Sequence, residues 1–325
     1  MTYWRVLTAP PIASRNAPAW RTWSLRLAPY LVTGVVVVVL LRRYPASEIV
    51  AEMRGGHALA MIPFGLALPF VVWAPYAACD RVVFEGTVGD VAFRDVARAK
   101  AATALLFILG YFFGGGAYAV WIARAVRARA GQAAGAILYI AASDLTAVCA
   151  VASASMWLGG ADAPHSVRAV ATWIFVVQVS LILVAPYNER LRLPPIIAAW
   201  RLVPRRRWLV QLAGRVMNTA IIAALTWAAM RAFGIDVPAR AVAMYMPIVM
   251  LVTSLPINVA GLGPAQAAWL LFLPWASGPQ LLAFQVLWHV VSGAGILARG
   301  LPFVRGVLRE IEVGAVLKRE DIRPG

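Results

Sequence analysis

Apolar residues run along this chain in long blocks, with short and mostly basic stretches between them. Leu25–Leu41, Ala58–Cys79, Ala133–Leu158, Arg168–Pro186, Leu209–Phe233 and Gln280–Leu301 are each close to the roughly 20 residues that carry a helix across a bilayer. Two further blocks are interrupted from within. Ala101–Ala123 holds Gly110 and the run Gly114, Gly115, Gly116. Val242–Pro274 holds the sequence LPINVAGLGPAQAAW at 255–269. There Pro256 and Pro264 lack a backbone donor, and Gly261 and Gly263 admit backbone angles that other residues resist. Asn258 and Gln266 place amides among Val, Leu, Met and Trp. Irregular backbone at membrane depth must be buried in protein or face a wet cavity, because lipid satisfies no N–H or C=O group. The stretch reads as a re-entrant segment in functional use, or as a turn between two spanning helices.

Charge orders these blocks. Asp80–Lys100 mixes Asp80, Arg81, Glu85, Asp90, Arg94, Asp95, Arg98 and Lys100 with Val88, Val91, Ala92 and Val96 at helical spacing, which predicts an amphipathic helix along the surface. Basic loops belong on the cytoplasmic side. The connection 187–208, with Arg190, Arg192, Arg201, Arg205, Arg206 and Arg207, and the tail after 302 are then inside. The loops 159–167 and 234–241, almost without positive charge, are outside. Arg124, Arg127 and Arg129 fall inside, and so does 80–100. A through-going helix cannot have both ends on one side, so Ala101–Ala123 is expected to enter and return. Val242–Pro274 is expected to do the same from the outer face.

The prediction is an all-α polytopic membrane protein with six spans and two re-entrant helical hairpins. Residues 1–24 and 302–325 are its cytoplasmic tails, around one transmembrane domain at 25–301. Its halves, 58–158 and 209–301, each carry one interrupted segment, the pattern of an inverted repeat with a midplane site. Arg42, Arg43 and Arg54 would face outward and count against this topology. Eight plain spans is the rival.

Composition narrows the class. The 325 residues are 62% hydrophobic and 14% charged, against about half and a quarter in soluble domains. A mean hydropathy of +0.75 agrees. Thirty Lys and Arg against 14 Asp and Glu give +16. Positive-inside bias explains most of this, and attraction to anionic headgroups is the sharper reading, at about 1 kcal/mol per basic side chain near the surface. Arg201, Arg205, Arg206 and Arg207 are the headgroup-attracting candidates. No nucleic-acid-binding motif occurs, so nucleic acid is not an expected partner. Cys79 and Cys149 lie in apolar segments without a CxxC and read as small hydrophobes.

Polar residues inside the apolar blocks are the candidate chemistry. Asp144 stands out as the acidic residue well within a span. A central carboxylate costs roughly 2.5–3.5 kcal/mol on insertion scales and needs a partner or water. It is either a hydrogen-bonded structural group or a proton or headgroup relay, with Arg215 and His289 as candidate partners. His289 alone, without other ligand residues at spacing, favours a hydrogen-bonded helix residue over a metal ligand. Gln178 has the character of a helix-bridging amide. There is no GxSxG, HExxH, Walker A or strand-following GxGxxG, and Gly114–Gly116 lacks the Lys and Ser/Thr of a phosphate loop. No catalytic residue, metal or cofactor is expected.

LPINVAGLGPAQAAWLLFL resembles the lysylphosphatidylglycerol synthase transmembrane-region family, also called the flippase-like domain. Leu255, Pro256, Ile257, Gly261, Leu262 and Gly263 match its ordered motif. Asn258 replaces a common serine, and Ala265-Gln266 replaces Arg-Glu, so a charge pair at the second hairpin is not inherited. Residues 93–123 resemble the family's charged segment and glycine-interrupted hairpin, and Asp144 matches an acidic position. The likeness covers roughly 60–300. It implies a bacterial-type inner-membrane protein that moves lipids or lipid-linked molecules between leaflets. The 325 residues hold no soluble aminoacyltransferase domain, so synthase activity is not expected. The substrate-binding candidates are Asn258, Gly261, Gly263, Gln266, Gly114, Gly115, Asp144, Arg215 and His289. Expected partners are membrane lipids, anionic by charge, and a lipid-synthesis enzyme. The alternatives are a membrane enzyme or accessory subunit of lipid or glycolipid synthesis, and a structural partner in such a complex.

Overall fold

The computed structural model describes residues 19–55, 57–109, 111–158, 165–183, 199–254 and 263–320. Every regular element among them is helical. α1 (Ala19–Arg43) and α2 (Ala46–Met53) meet at a bend of 83°. The bend sits at Pro45, whose ψ of 139° is extended and which has no N–H to continue a helix. α3 (Ile62–Thr87), α4 (Phe93–Leu109), α5 (Tyr111–Ala125) and α6 (Ala130–Leu158) follow. α7 (His165–Leu183) packs on α6. Then come α8 (Arg205–Ala232), α9 (Ala239–Ser254), the short α10 (Pro264–Ala268) and α11 (Gly278–Glu320). Among the described residues four helices are long and apolar enough to cross a membrane, or five if the bent α1–α2 pair is one span.

Exposed apolar side chains say the same. Tyr30, Leu31, Val35, Val38 and Val39 face outward from α1, as do Trp173, Val176 and Val177 from α7. Water would not tolerate such patches, whereas lipid matches them. The architecture is that of an integral, multi-pass membrane protein.

The surface helix expected at 80–100 is not formed. α3 continues through the charged stretch to Thr87, with Asp80, Val83, Phe84 and Thr87 buried. Tyr76, Asp80, Val83, Phe84 and Thr87 share one helical face, which packs inward, while Arg81 and Glu85 pair on the opposite face. After a turn, α4 takes Lys100 into the interior.

The interrupted segment at 101–123 becomes two helices. At 1.5 Å per residue α4 and α5 span roughly 25 and 22 Å, each short of the ~30 Å hydrocarbon core. They pack against each other. Lys100 and Tyr118, at similar distances either side of the break, reach the same carboxylate oxygen, so the arms run antiparallel. Gly114–Gly116 is uninterrupted helix within α5, not the interruption expected there, and Gly110, the other expected interruption, lies outside the described residues. In the second half α9 ends at Ser254 and α10 begins at Pro264, with 255–262 outside the described residues. Tyr245 of α9 packs on Phe272 at 5.9 Å and Trp275 at 6.2 Å, so this chain also doubles back.

Several contacts recur between the halves. α3 and α8 run antiparallel: Gly86 near the end of α3 approaches Val203 just before α8, and the turn Leu59–Met61 leading into α3 packs on α8, with Met61 in one core with Met230 and Phe233. α11 lies parallel to α3, with Gly65 beside Val291 and Trp73 beside Phe303. α6 lies beside α8, its start held by Trp200 Nε1 donating to the Gly135 carbonyl at 3.1 Å. α4 packs on α11 and α9 on α6. Exchanging α3 for α8, α4 for α9 and α6 for α11 maps these contacts onto one another, whereas the packing of α3 on α6 has no comparable counterpart between α8 and α11. α11 runs on through Pro302 to Glu320, so most of the stretch read as a polar tail is helical.

Candidate functional site: a buried charge network

Five helices bring ionisable side chains to one place. α8 supplies Arg215, fully buried. Its Nη2 pairs with Asp80 Oδ1 of α3 and its Nη1 with Asp144 Oδ1 of α6. Lys100 of α4 donates to Asp80 Oδ2 at 2.6 Å, and Tyr118 of α5 donates to the same oxygen at 3.0 Å. Tyr76 of α3 completes the shell: its ring lies 5.4 Å from the Arg215 guanidinium carbon and 5.0 Å from Lys100 Nζ. The formal charges, two carboxylates against two cations, sum to zero. Isolated charges at this depth would each cost several kcal/mol, so mutual neutralisation is the condition of their burial.

The two carboxylates are held unequally. Asp80 has three donors and a wholly buried side chain. Asp144 is bonded to Arg215, and its side chain is 34% exposed.

Along α8 the same face carries Gln211, Arg215, Asn218, Thr219 and Thr226, all buried. Thr219 and Thr226 satisfy themselves on the Arg215 and Ile222 carbonyls. Gln211 and Asn218 have no partner for either end of their amides, and Arg215 Nε and Ser143 Oγ have none either. Buried amides without partners are costly and call for water or a ligand. Gly214 lets α3 and α8 close on each other here, since a Cβ would stand 2.6 Å from Cys79 Sγ.

Of the sequence-predicted residues, Asp144 and Arg215 meet, as their partnership anticipates. His289 lies on the exposed side of α11, and Asp144 pairs with Arg215 instead. Gly114 and Gly115 are buried in α5, with Gly115 facing Ile137 of α6; they serve packing, one turn before Tyr118. Asn258 and Gly261 lie outside the described residues. Gly263 has φ of +93° and abuts Thr33 of α1, so a side chain there would be both strained and blocked. Gln266 Oε1 accepts from the Gly263 N–H at 3.4 Å, an N-terminal cap for α10. It also edges an apolar cleft of about 170 Å³ between α1, α2 and α11, lined by Leu40, Ile49, Leu282 and Val286. Arg201, Arg205 and Arg206 are exposed around the start of α8, whereas Arg207 reaches Glu85 at 3.9 Å.

Asp80, Lys100, Tyr76 and Tyr118 escape a reading that ends the second span at Cys79. The signal for Asp80 was the inward face continuing from Tyr76 to Thr87. No group of three or more His, Cys, Asp or Glu side chains suited to a metal forms among the described residues. The fold and this network define a helical, multi-pass membrane protein with ionisable groups at its interior. Compared with known proteins, the chain matches no family model and no curated relative.

Proposed function

We propose that this protein is a translocase for lipids or lipid-linked molecules of a bacterial-type inner membrane, with both termini cytoplasmic. The observation that carries the reading is the Asp80–Arg215–Asp144–Lys100 network, built where a folded-back helix pair meets two antiparallel long helices. Ionised groups inside a membrane protein mark pathways by default, and broken helix pairs in corresponding positions of two inverted halves mark the site of alternating access. On this reading α4/α5 and α9/α10 are re-entrant hairpins entering from opposite faces, and the flippase-like resemblance of 255–273 and 93–123 agrees. Exposed Arg201, Arg205 and Arg206 gather anionic lipid at the inner leaflet.

The test is leaflet-specific labelling of a fluorescent phosphatidylglycerol in proteoliposomes. Wild-type protein equilibrates the label between leaflets, and Asp144→Ala slows it while the protein remains folded. Sidedness that is the same with and without the protein rejects translocation. A change in total lipid composition in cells, at unchanged sidedness, points to lipid synthesis instead.

A further inference from the structure

Arg215 is the hub of the network, and its two carboxylate partners differ in how they can leave. Asp80 is locked by Arg215, Lys100 and Tyr118 together. Asp144 is held by Arg215 and is a third exposed. Releasing Asp144 frees Nη1, and Nε is already without a partner. One turn before and one turn after Arg215 on the same face, Gln211 and Asn218 present amide donors without a partner among the described residues. The vacated position would therefore be ringed by donors from three side chains. A carboxylate offers two oxygens to such a ring, whereas a phosphate offers more and suits the guanidinium equally well.

We propose that Arg215, flanked by Gln211 and Asn218, binds a monoanionic phosphate group in exchange for Asp144, and that each bound anion brings one proton into the site. This rests on reading the network as a site rather than as a structural tie. The charge balance enforces the coupling. In the resting site Asp80 and Asp144 offset Arg215 and Lys100. A phosphate added to that site would leave an uncompensated negative charge in a low-dielectric interior, which is costly. When a proton from water joins the Asp144 carboxylate, the Nη1–H···Oδ1 bond breaks. An Nη1–H···O–P bond replaces it, and the sum returns to zero. No covalent bond to the ligand forms or breaks.

The groups around Asp144 make it the exchanging partner. Arg215 of α8 faces it directly, with Asp80, Tyr76 and Cys79 of α3, Lys100 of α4 and, through Asp80, Tyr118 of α5. Arg168 of α7 with its neighbour His165, and Tyr245 of α9, belong to the far end of α6 near Met156 and Trp157, about three turns away. Arg201 lies beside its other end near Gly135. The charge that answers protonation of Asp144 is therefore Arg215.

The test uses the full chain in nanodiscs of phosphatidylcholine alone. The probes are dihexanoyl-phosphatidylglycerol and, separately, inorganic phosphate at about pH 5, where it is a monoanion. Binding and proton uptake are read together, the latter with an indicator dye in weak buffer. The wild type should take up about one proton per anion, with affinity falling about tenfold per unit rise in pH across the coupled range. Asp144→Asn should bind without proton uptake and with no pH slope, and Asn218→Leu should weaken binding roughly tenfold or more while keeping the slope. Response to the diester alone assigns the site to a headgroup, and response to inorganic phosphate assigns it to free phosphate; both support the exchange. The proposal is overturned if neither probe binds folded wild type at any pH, or if Asp144→Asn keeps the proton uptake. Since nothing is transported in this measurement, a protein that binds with proton uptake but moves no lipid would sink the translocase reading and leave the exchange standing.

Discussion

The two helix pairs, α4/α5 and α9/α10, are fixed by opposite chemistry. α4/α5 is tied to α3 by charge, with Lys100 and Tyr118 on Asp80 and Arg215 behind it. The turn Trp269–Phe272 that follows α10 is tied to α9 and α11 by rings. Trp269 packs on Phe284 at 5.3 Å, Phe284 stacks on Trp288 at 5.9 Å, and Tyr245 meets Phe272 edge-on. Aromatic contacts are indifferent to ionisation and tolerate lipid around them. A desolvated ion network is stabilised by its completeness and becomes a liability when one member is lost. The comparison teaches that the aromatic packing around Phe284 can serve as a fixed frame, while the charge network, which joins α3–α6 to Arg215 of α8, is the part that on our proposal responds to a proton or an anion.

Removing the hub breaks this comparison most severely. Arg215→Leu leaves Asp80 and Asp144 without their shared cation, and should cost about 3–5 kcal/mol in unfolding free energy measured by denaturant titration in mild detergent. Replacing the whole network, Asp80→Leu, Asp144→Leu, Lys100→Met and Arg215→Met together, should recover that loss or exceed it, because no charge remains to desolvate. A quadruple variant as unstable as Arg215→Leu would mean that the ions are the structural tie between α8 and α3–α6.

Phe284→Ala probes the other half. Phe284 is fully buried among Trp269, Trp288 and Phe233, and truncation should cost about 3 kcal/mol through lost burial and the cavity left behind. The same titration measures it. Lipid equilibration per folded molecule should be unchanged, in contrast to Asp144→Ala. Gly214→Val comes next: the new side chain meets Cys79 Sγ and forces α3 from α8, for about 1–3 kcal/mol. Cys79→Ala should restore part of that loss, and an unrelieved double variant would place the clash elsewhere.

How much of this was legible follows the same division. The all-helical, multi-pass character and most helix positions could be read from apolar periodicity, breakers and loop charge. Asp144 and Arg215 were visible because charged residues in apolar runs advertise themselves. Asp80 and Lys100 were hidden by company: Arg81, Glu85, Asp90 and Arg94 surround them, and charge density reads as surface. Gly114–Gly116 misled for the reverse reason, since a glycine run suggests a break, while packing on Ile137 needs small residues within a continuous helix. Sequence shows which residues are polar, but the rotation of a helix against four neighbours decides which are buried.

The smallest predicted effect makes that point on a single helix. Glu85 lies five residues beyond Asp80 on α3, and both carry carboxylates with two cationic neighbours. Glu85 is bonded to Arg81 at 2.7 Å and approached by Arg207 at 3.9 Å, but its side chain is 26% exposed and those arginines are more so. Water can replace either partner, so Glu85→Gln should change unfolding free energy by less than about 1 kcal/mol, and less still at high salt. Asp80→Asn removes one of the two negative charges that neutralise Arg215 and Lys100 in the interior, and its loss should be several times larger and insensitive to salt. The titration that measures Arg215→Leu also reads this pair. Equal costs for the two substitutions would mean that α3 is rotated from the orientation described, with Asp80 facing water.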